Sequence, residues 1–232
     1  MRFNNKNNTP LLVILATLIA GYAYIASCTH DDALIESNGP AIARGTQVLQ
    51  FPTDTKVSFD KTHSNVGWET AYLGDLSLLT GRFDTMGFTA FNFDEANPAN
   101  TNFEAWVWIN QVNTSEPRRD TGCLQTTFGT TNSMTTEAAN IATVKSKSIE
   151  FSPTDNGYIV KFDLTFHGVT NELTGKLFYD GLTVTGSGAT AKNVYGFSFD
   201  FQFLAISDFG IVSNNIGDQI TVKCNAIFRQ TQ

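Results

Sequence analysis

Basic residues are scarce in this chain, and so are the side chains that carry most enzymatic chemistry. Fifteen Lys and Arg stand against 22 Asp and Glu, for a formal net charge of −7. Such a chain has little to offer nucleic acid or an anionic membrane surface, because both reward clustered cations. Histidine occurs three times, at His30, His63 and His167, with no two at metal-ligand spacing, so no zinc or other metal site is expected. The sequence holds no Gly-rich phosphate loop, no Cys-x-x-Cys pair and no nucleophile elbow. His63 and Ser64 are adjacent, and neighbours on a strand point to opposite faces, so they do not form a nucleophilic pair. Helical periodicity is nearly missing, which argues against a βαβ rhythm. On these grounds the chain is not expected to be an enzyme.

Cysteine is equally sparse: Cys28, Cys123 and Cys224. The first ends the run MRFNNKNNTPLLVILATLIAGYAYIASC, in which a short basic start precedes 16 apolar or small residues from Leu11 to Ala26. That length suits a signal-peptide core and falls short of a spanning helix. Ile25-Ala26-Ser27-Cys28 resembles a bacterial lipobox, which implies a signal peptide over 1–27 and a lipidated Cys28 that anchors the protein to a membrane. Several acyl chains hold far more firmly than one. An ordinary signal peptide or an uncleaved anchor is the other reading. Taking Arg2 and Lys6 away with the leader leaves 13 basic residues against 22 acidic, a net charge of −9. Residues 28–50, which include Asp31, Asp32 and a Gly-Pro pair, lack periodicity and read as a tether. The acidic pair resembles a surface-export signal of bacterial lipoproteins. In an exported chain the two remaining thiols suggest a Cys123–Cys224 disulfide. It would close a loop of about 100 residues, for which chain entropy argues on the order of 4 kcal/mol. A buried free thiol is the alternative.

What the chain has in excess is phenylalanine, nineteen residues, while only 16% of positions are charged. The stretch YGFSFDFQF places Tyr195, Phe197, Phe199, Phe201 and Phe203 on one face of an extended strand, with Gly196, Ser198, Asp200 and Gln202 on the other. YIVKFDLTF alternates in the same way, with Tyr158, Val160, Phe162, Leu164 and Phe166 on its dry face. VSFD, SNVGWETAY, TGRFDTMGFTAFNFD, NFEAWVWINQV, SIEF, a segment from Leu173 to Tyr179, and ITVKCNAIF supply further strands, the last with Ile220, Val222 and Cys224 on one side. PTDNG and HGVTN read as turns, and Asp180 to Asn193 as a long loop. The helical content expected is one short piece between Arg118 and Ala142, with Thr135-Thr136-Glu137 as a place for a turn to open. The pattern predicts an all-β domain over 51–232, an antiparallel barrel of about eight strands or a sandwich close to one, with a short helical insertion.

Several segments, taken in order, resemble the YceI-like family of lipocalin-like barrels. They are Asp60 with His63-Ser64-Asn65-Val66, Gly81-Arg82-Phe83, Trp108-Ile109-Asn110 leading to Thr114, and Arg119-Asp120, followed by Lys145-Ser146, Phe166-His167-Gly168-Val169-Thr170 and Asp208-Phe209-Gly210-Ile211. Two positions depart from the family pattern: Cys123 stands where a histidine is usual, and Ile206 where an arginine is usual. The substituted Cys123 would make a bridge to Cys224 particular to this branch.

A barrel of this size is either filled by side chains or holds one small ligand. Five rings hide on the order of 1,000 Å², roughly 25 kcal/mol gross as an upper bound, so periodicity alone favours a filled core. The resemblance favours a hollow one. It implies a cell-envelope lipoprotein, on the periplasmic or cell-surface side of the outer membrane, that binds an isoprenoid, quinone or fatty-acid-type lipid without changing it. The five rings of YGFSFDFQF with Phe162, Leu164 and Phe166 would form the wall, joined by Phe59, Trp68, Phe83, Val107 and Ile109. His63, Arg119, Asp120 and His167 are the candidate head-group or mouth contacts. Trp106 and Trp108 should point outward on simple alternation, unless a bulge reverses them. The resemblance also suggests a homodimer, which nothing in the sequence requires. The alternative functions are a structural or interaction lipoprotein with a filled barrel and, third, an enzyme acting on a bound lipid.

Overall fold

The computed structural model describes residues 56–74, 76–128, 138–211 and 213–231, apart from the side chains at 123–126. The expected leader, Cys28 and the expected tether lie outside the described residues. Within them, eleven strands form one antiparallel sheet. They are β1 (Val57–Phe59), β2 (Asn65–Tyr72), β3 (Ser77–Phe83), β4 (Met86–Asn92), β5 (Asn102–Trp108), β6 (Val112–Asn113), β7 (Ile141–Ser152), β8 (Gly157–Phe166), β9 (Val169–Thr185), β10 (Lys192–Leu204) and β11 (Ile216–Gln230). Two helices interrupt them, α1 (Pro117–Phe128) and α2 (Ala205–Phe209).

The spatial order β4-β5-β7-β8-β9-β10-β11-β2-β3-β6, with β1 added beside β11, explains the curl. β6 continues from β5 through one 3₁₀ turn, Ile109–Gln111, yet pairs with β3 at the far end of the sheet. The backbone bonds Trp108 N to Thr85 O and Asp84 N to Gln111 O, both 2.9 Å, stitch that seam. The result is a curled antiparallel half-barrel.

The all-β expectation holds, and the count of about eight becomes eleven for local reasons. TGRFDTMGFTAFNFD is two strands, because the chain bends at Asp84 and Thr85. β1 is the expected VSFD strand, whereas β6, at 2 residues, is too short to leave an alternation signal. SIEF is only the end of a 12-residue strand. The supposed long loop from Asp180 mostly pairs: β9 runs on to Thr185 and β10 starts at Lys192. A bulge hid this, since the register slips between Gly196 and Phe197 opposite Gly181, whose φ of 126° is open to glycine. The helical insertion opens at Pro117, a residue suited to a first helical turn; Thr135-Thr136-Glu137 lie outside the described residues. α2 was not foreseen. It is a five-residue turn closed by Gly210 at φ 66°.

His167 and Gly168 take φ values of 53° and 76° between the paired residues Phe166 and Val169. Two successive positive φ angles make the two-residue hairpin turn that matches strand twist. The Phe-His-Gly-Val-Thr motif is therefore turn chemistry, as the sequence suggested.

Candidate functional site

Inward side chains of β2, β3, β5, β7, β8, β10 and β11 stand around a space that they do not fill. They leave a partly open cavity of about 180 Å³. Its walls are almost wholly hydrocarbon and aromatic; Thr114, Arg119 and Thr127 supply the polar side chains of the lining.

The aromatic strand divides between this cavity and a solid core. Phe199, Phe201 and Phe203 face the cavity, and so do their partners on β11, Cys224, Val222 and Ile220. Tyr195 and Phe197, on the same face of the same strand, do not. Phe197 meets Phe91, Phe93, Tyr179 and Phe228 at centroid distances of 5.1, 5.0, 5.1 and 5.8 Å. Phe59 joins this cluster through Phe88 and Phe228, at 5.0 and 5.8 Å. Ring pairs in such offset and edge-to-face arrangements add about 0.5–1.5 kcal/mol each beyond their buried area. One half of the interior is packed like any core, and the other half is open.

Of the expected wall, Trp68, Phe83, Val107, Ile109, Leu164, Phe166, Phe199, Phe201 and Phe203 line the cavity. Phe59, Phe162, Tyr195 and Phe197 do not, which corrects their assignment. Phe162 is fully buried behind the wall, supporting Phe199 and Phe201 at 5.2 and 5.0 Å. The β11 residues Ile220, Val222 and Cys224 showed a one-sided alternation in sequence but were not read as wall. Phe128, on α1 and 5.6 Å from Phe166, carried no sequence signal at all.

Two tryptophans owe their placement to glycines across the strand. Trp68 pairs with Gly81, and a Cβ on that glycine would come 2.5 Å from the indole, so the ring lies where the glycine leaves room. Trp106 pairs with Gly87 in the same way, with a closest approach of 2.7 Å. Laid over Gly87, Trp106 borders the cavity, which corrects the outward placement read from alternation. Trp108 is not in the lining; it meets Trp106 edge-on at 6.1 Å.

The polar candidates separate by role. Asp60 accepts from Thr62 N, His63 Nδ1 and Arg229 Nε at 3.1, 2.9 and 2.6 Å, while Ser64 Oγ accepts from Ile227 N at 2.9 Å. This knot ties the turn between β1 and β2 to β11, and His63 belongs to it, away from the cavity. Burial by itself would raise the Asp60 carboxyl, but the hydrogen bonds and charges of Arg229 and His63 outweigh it and hold the group at about 2. His167 sits in its hairpin turn with Nδ1 buried and lacking an acceptor or donor partner, and it does not line the cavity either. Asp120 accepts from the Thr114 amide at 3.0 Å and from the Thr114 hydroxyl. Arg119 donates to Thr114 Oγ1 through Nε and to Thr114 O through Nη2, both at 2.8 Å, and stands in the cavity lining.

Cys224 carries a free thiol, so the expected bridge is not formed; the Cys123 side chain lies outside the described residues. The physical reason is position: Cys224 sits mid-strand in the cavity wall, opposite Phe199 and Val66. Burial first, and then the charge of Asp200, push its thiol up to about 12.

Residues 58–228 match the YceI-like domain. The chain belongs to the YceI-like family. No curated protein sequence matches it significantly. Among solved structures, Burkholderia cenocepacia BcnA is 16% identical, with a TM-score of 0.56 over 73% of this chain and 99% of that one. A polyisoprenoid binding domain from Saccharophagus degradans, implicated in plant cell wall breakdown, is 17% identical with a TM-score of 0.50, over 76% of this chain and 99% of that one. Campylobacter jejuni YCEI is 23% identical over 65% of this chain and 86% of that one, with a TM-score of 0.46. At these identities the likeness concerns the fold, and this YceI-like chain shares it over nearly the full length of the first two.

Proposed function

We infer that the domain binds the hydrocarbon tail of an isoprenoid or similar long-chain lipid in its cavity, as a carrier or sensor, without chemical conversion. The observation that carries this reading is the apolar cavity walled by Phe199, Phe201 and Phe203. A void of 180 Å³ forgoes on the order of 4 kcal/mol of packing at about 24 cal/mol per Å³. That is a large share of the roughly 5–15 kcal/mol that separates a folded domain from its unfolded chain. Filling by a ligand would restore those contacts. Engineered apolar cavities of about 150 Å³ stay dry and take up benzene, so one isoprene-sized segment fits the enclosed part and a longer tail leaves through the open side. Membership in the YceI-like family and the polyisoprenoid-binding relative of similar fold support the lipid class.

The same reading places the protein in the cell envelope, held through a lipidated Cys28. Native mass spectrometry after purification in mild detergent, followed by organic extraction, is the direct test. A co-purifying lipid is expected; none, together with no binding across a panel of prenyl and acyl chains, rejects the carrier. Ala142, paired with Val107 in the wall, gives a blocking variant. Ala142→Leu should exclude ligand while leaving the fold intact, and undiminished binding would count against this cavity. Cys28→Ser should move the protein out of the membrane fraction, and unchanged fractionation rejects the anchor.

A further inference from the structure

The polar equipment of the cavity is one-sided. Among the described residues Arg119 is the only charged one in its lining. Among the described residues it forms no ion pair, and its two hydrogen bonds both go to Thr114. A guanidinium carries five N–H donors in a planar fork. The edge made by Nε and one Nη is committed to Thr114, which leaves the edge made by the two Nη groups without an acceptor. Asp120 does not neutralise this charge directly. Its carboxylate is engaged by the Thr114 amide and hydroxyl, so Asp120 fixes Thr114, and Thr114 fixes the guanidinium. The wall contains a second idle donor, Trp68 Nε1, buried with no acceptor. No carboxylate of the described residues lines the cavity.

A half-buried cation beside an apolar hollow, with its nearest described carboxylate, Asp120, held off by the shared Thr114 hydroxyl, keeps one edge of its fork without an anionic acceptor. A ligand can supply the anion. The free edge of the fork has the spacing that carboxylate and phosphate oxygens accept in pairs. We propose that the barrel prefers an amphiphile with an anionic head, a carboxylate or a phosphate monoester, over a neutral one with the same tail, and that Arg119 is the residue that reads the head. This rests on the reading that a hydrocarbon tail occupies the cavity. It deepens that reading by naming the head-group class and a residue that sets specificity.

Matched tails separate head from tail. The full chain, purified in detergent and stripped of lipid, is titrated at pH 8 with hexadecanoic acid against hexadecanamide, and with geranylgeranyl phosphate against geranylgeraniol. The acid and the phosphate should bind roughly ten- to a hundredfold more tightly than their neutral partners, the ratio expected for a charge-assisted hydrogen bond. Arg119→Gln should abolish that ratio, with its fold checked by circular dichroism and thermal melting; Arg119→Lys should restore part of it. A second readout needs no variant: the acid should lose its advantage over the amide as the pH falls through the acid's own ionisation. Equal binding within each pair, a ratio kept by Arg119→Gln, or an advantage that persists once the acid is protonated would each overturn the proposal and leave the hydrocarbon cavity standing. Inorganic phosphate alone should neither bind nor displace the lipids; tight binding of it would point to a plain anion site and overturn the amphiphile. If none of the four lipids binds the natural protein, the cavity reading itself fails.

Discussion

Truncating two phenylalanines of the same strand should have different consequences. Phe197 is 3% exposed and enclosed by four other rings within 5.8 Å. Phe197→Ala opens a void where none exists, and such core truncations cost about 3–5 kcal/mol. Phe201, 8% exposed, touches Phe162 and Phe199 at 5.0 and 5.3 Å, with Phe203 at 6.4 Å, and has the cavity on its remaining side. Contacts missing on that side cannot be lost again, so Phe201→Ala should cost about 2 kcal/mol less. For a domain of this size the difference corresponds to roughly 4–8 °C in Tm. Urea denaturation with and without a lipid probe, hexadecanamide, completes the comparison. A ligand at a hundred times its Kd adds about 2.7 kcal/mol to stability. Phe197→Ala should keep that increment and Phe201→Ala should lose most of it. Equal costs for the two variants, or an increment lost at Phe197 and kept at Phe201, would refute the division of the interior.

Asp60 contributes stability that is complete above the ordinary carboxylate range near 4 and disappears as pH falls through about 2. Asp60→Asn should therefore cost about 1 kcal/mol at neutral pH, a value reduced for the partial exposure of Arg229, and the gap in urea midpoints should close between pH 4 and 2; a gap constant across that window contradicts the assignment. With Cys28 and Cys123 changed to Ser, Cys224 should react with iodoacetamide about a thousandfold more slowly than a free cysteine, because its thiol ionises near 12; a rate within tenfold of the free amino acid would count against burial in the wall. Gly81→Ala should push the Trp68 indole out of place, costing roughly 1–3 kcal/mol and weakening lipid binding, seen as a lower Tm and altered tryptophan emission; an unchanged protein would mean that the close approach is not needed.

Period-two alternation carried most of the fold, because a barrel strand with one dry face writes its orientation directly into the chain. YGFSFDFQF and YIVKFDLTF lie where that pattern puts them. It failed where geometry breaks the period. The bulge at Gly181 disguised half a hairpin as a loop, and β6 was too short to alternate. The site was less legible than the fold. Alternation tells which face a ring occupies but not how deep along the axis it sits, so Phe197 and Phe201 read alike although one is core and the other wall. Trp106 depended on a glycine on another strand, and Phe128 on a helix whose approach no local pattern encodes. The role proposed for Arg119 became visible only once the described lining of the cavity was seen to hold no carboxylate.

The partition of β10 has a further consequence. Tightness of the fold is vested near Phe197, and discrimination among guests near Phe201, some four residues away along one continuous backbone. Mutations that reshape the guest chamber can therefore accumulate without unfastening the molecule, so a single scaffold can be retuned toward tails of different length and branching while its anchoring knot of rings stays the same.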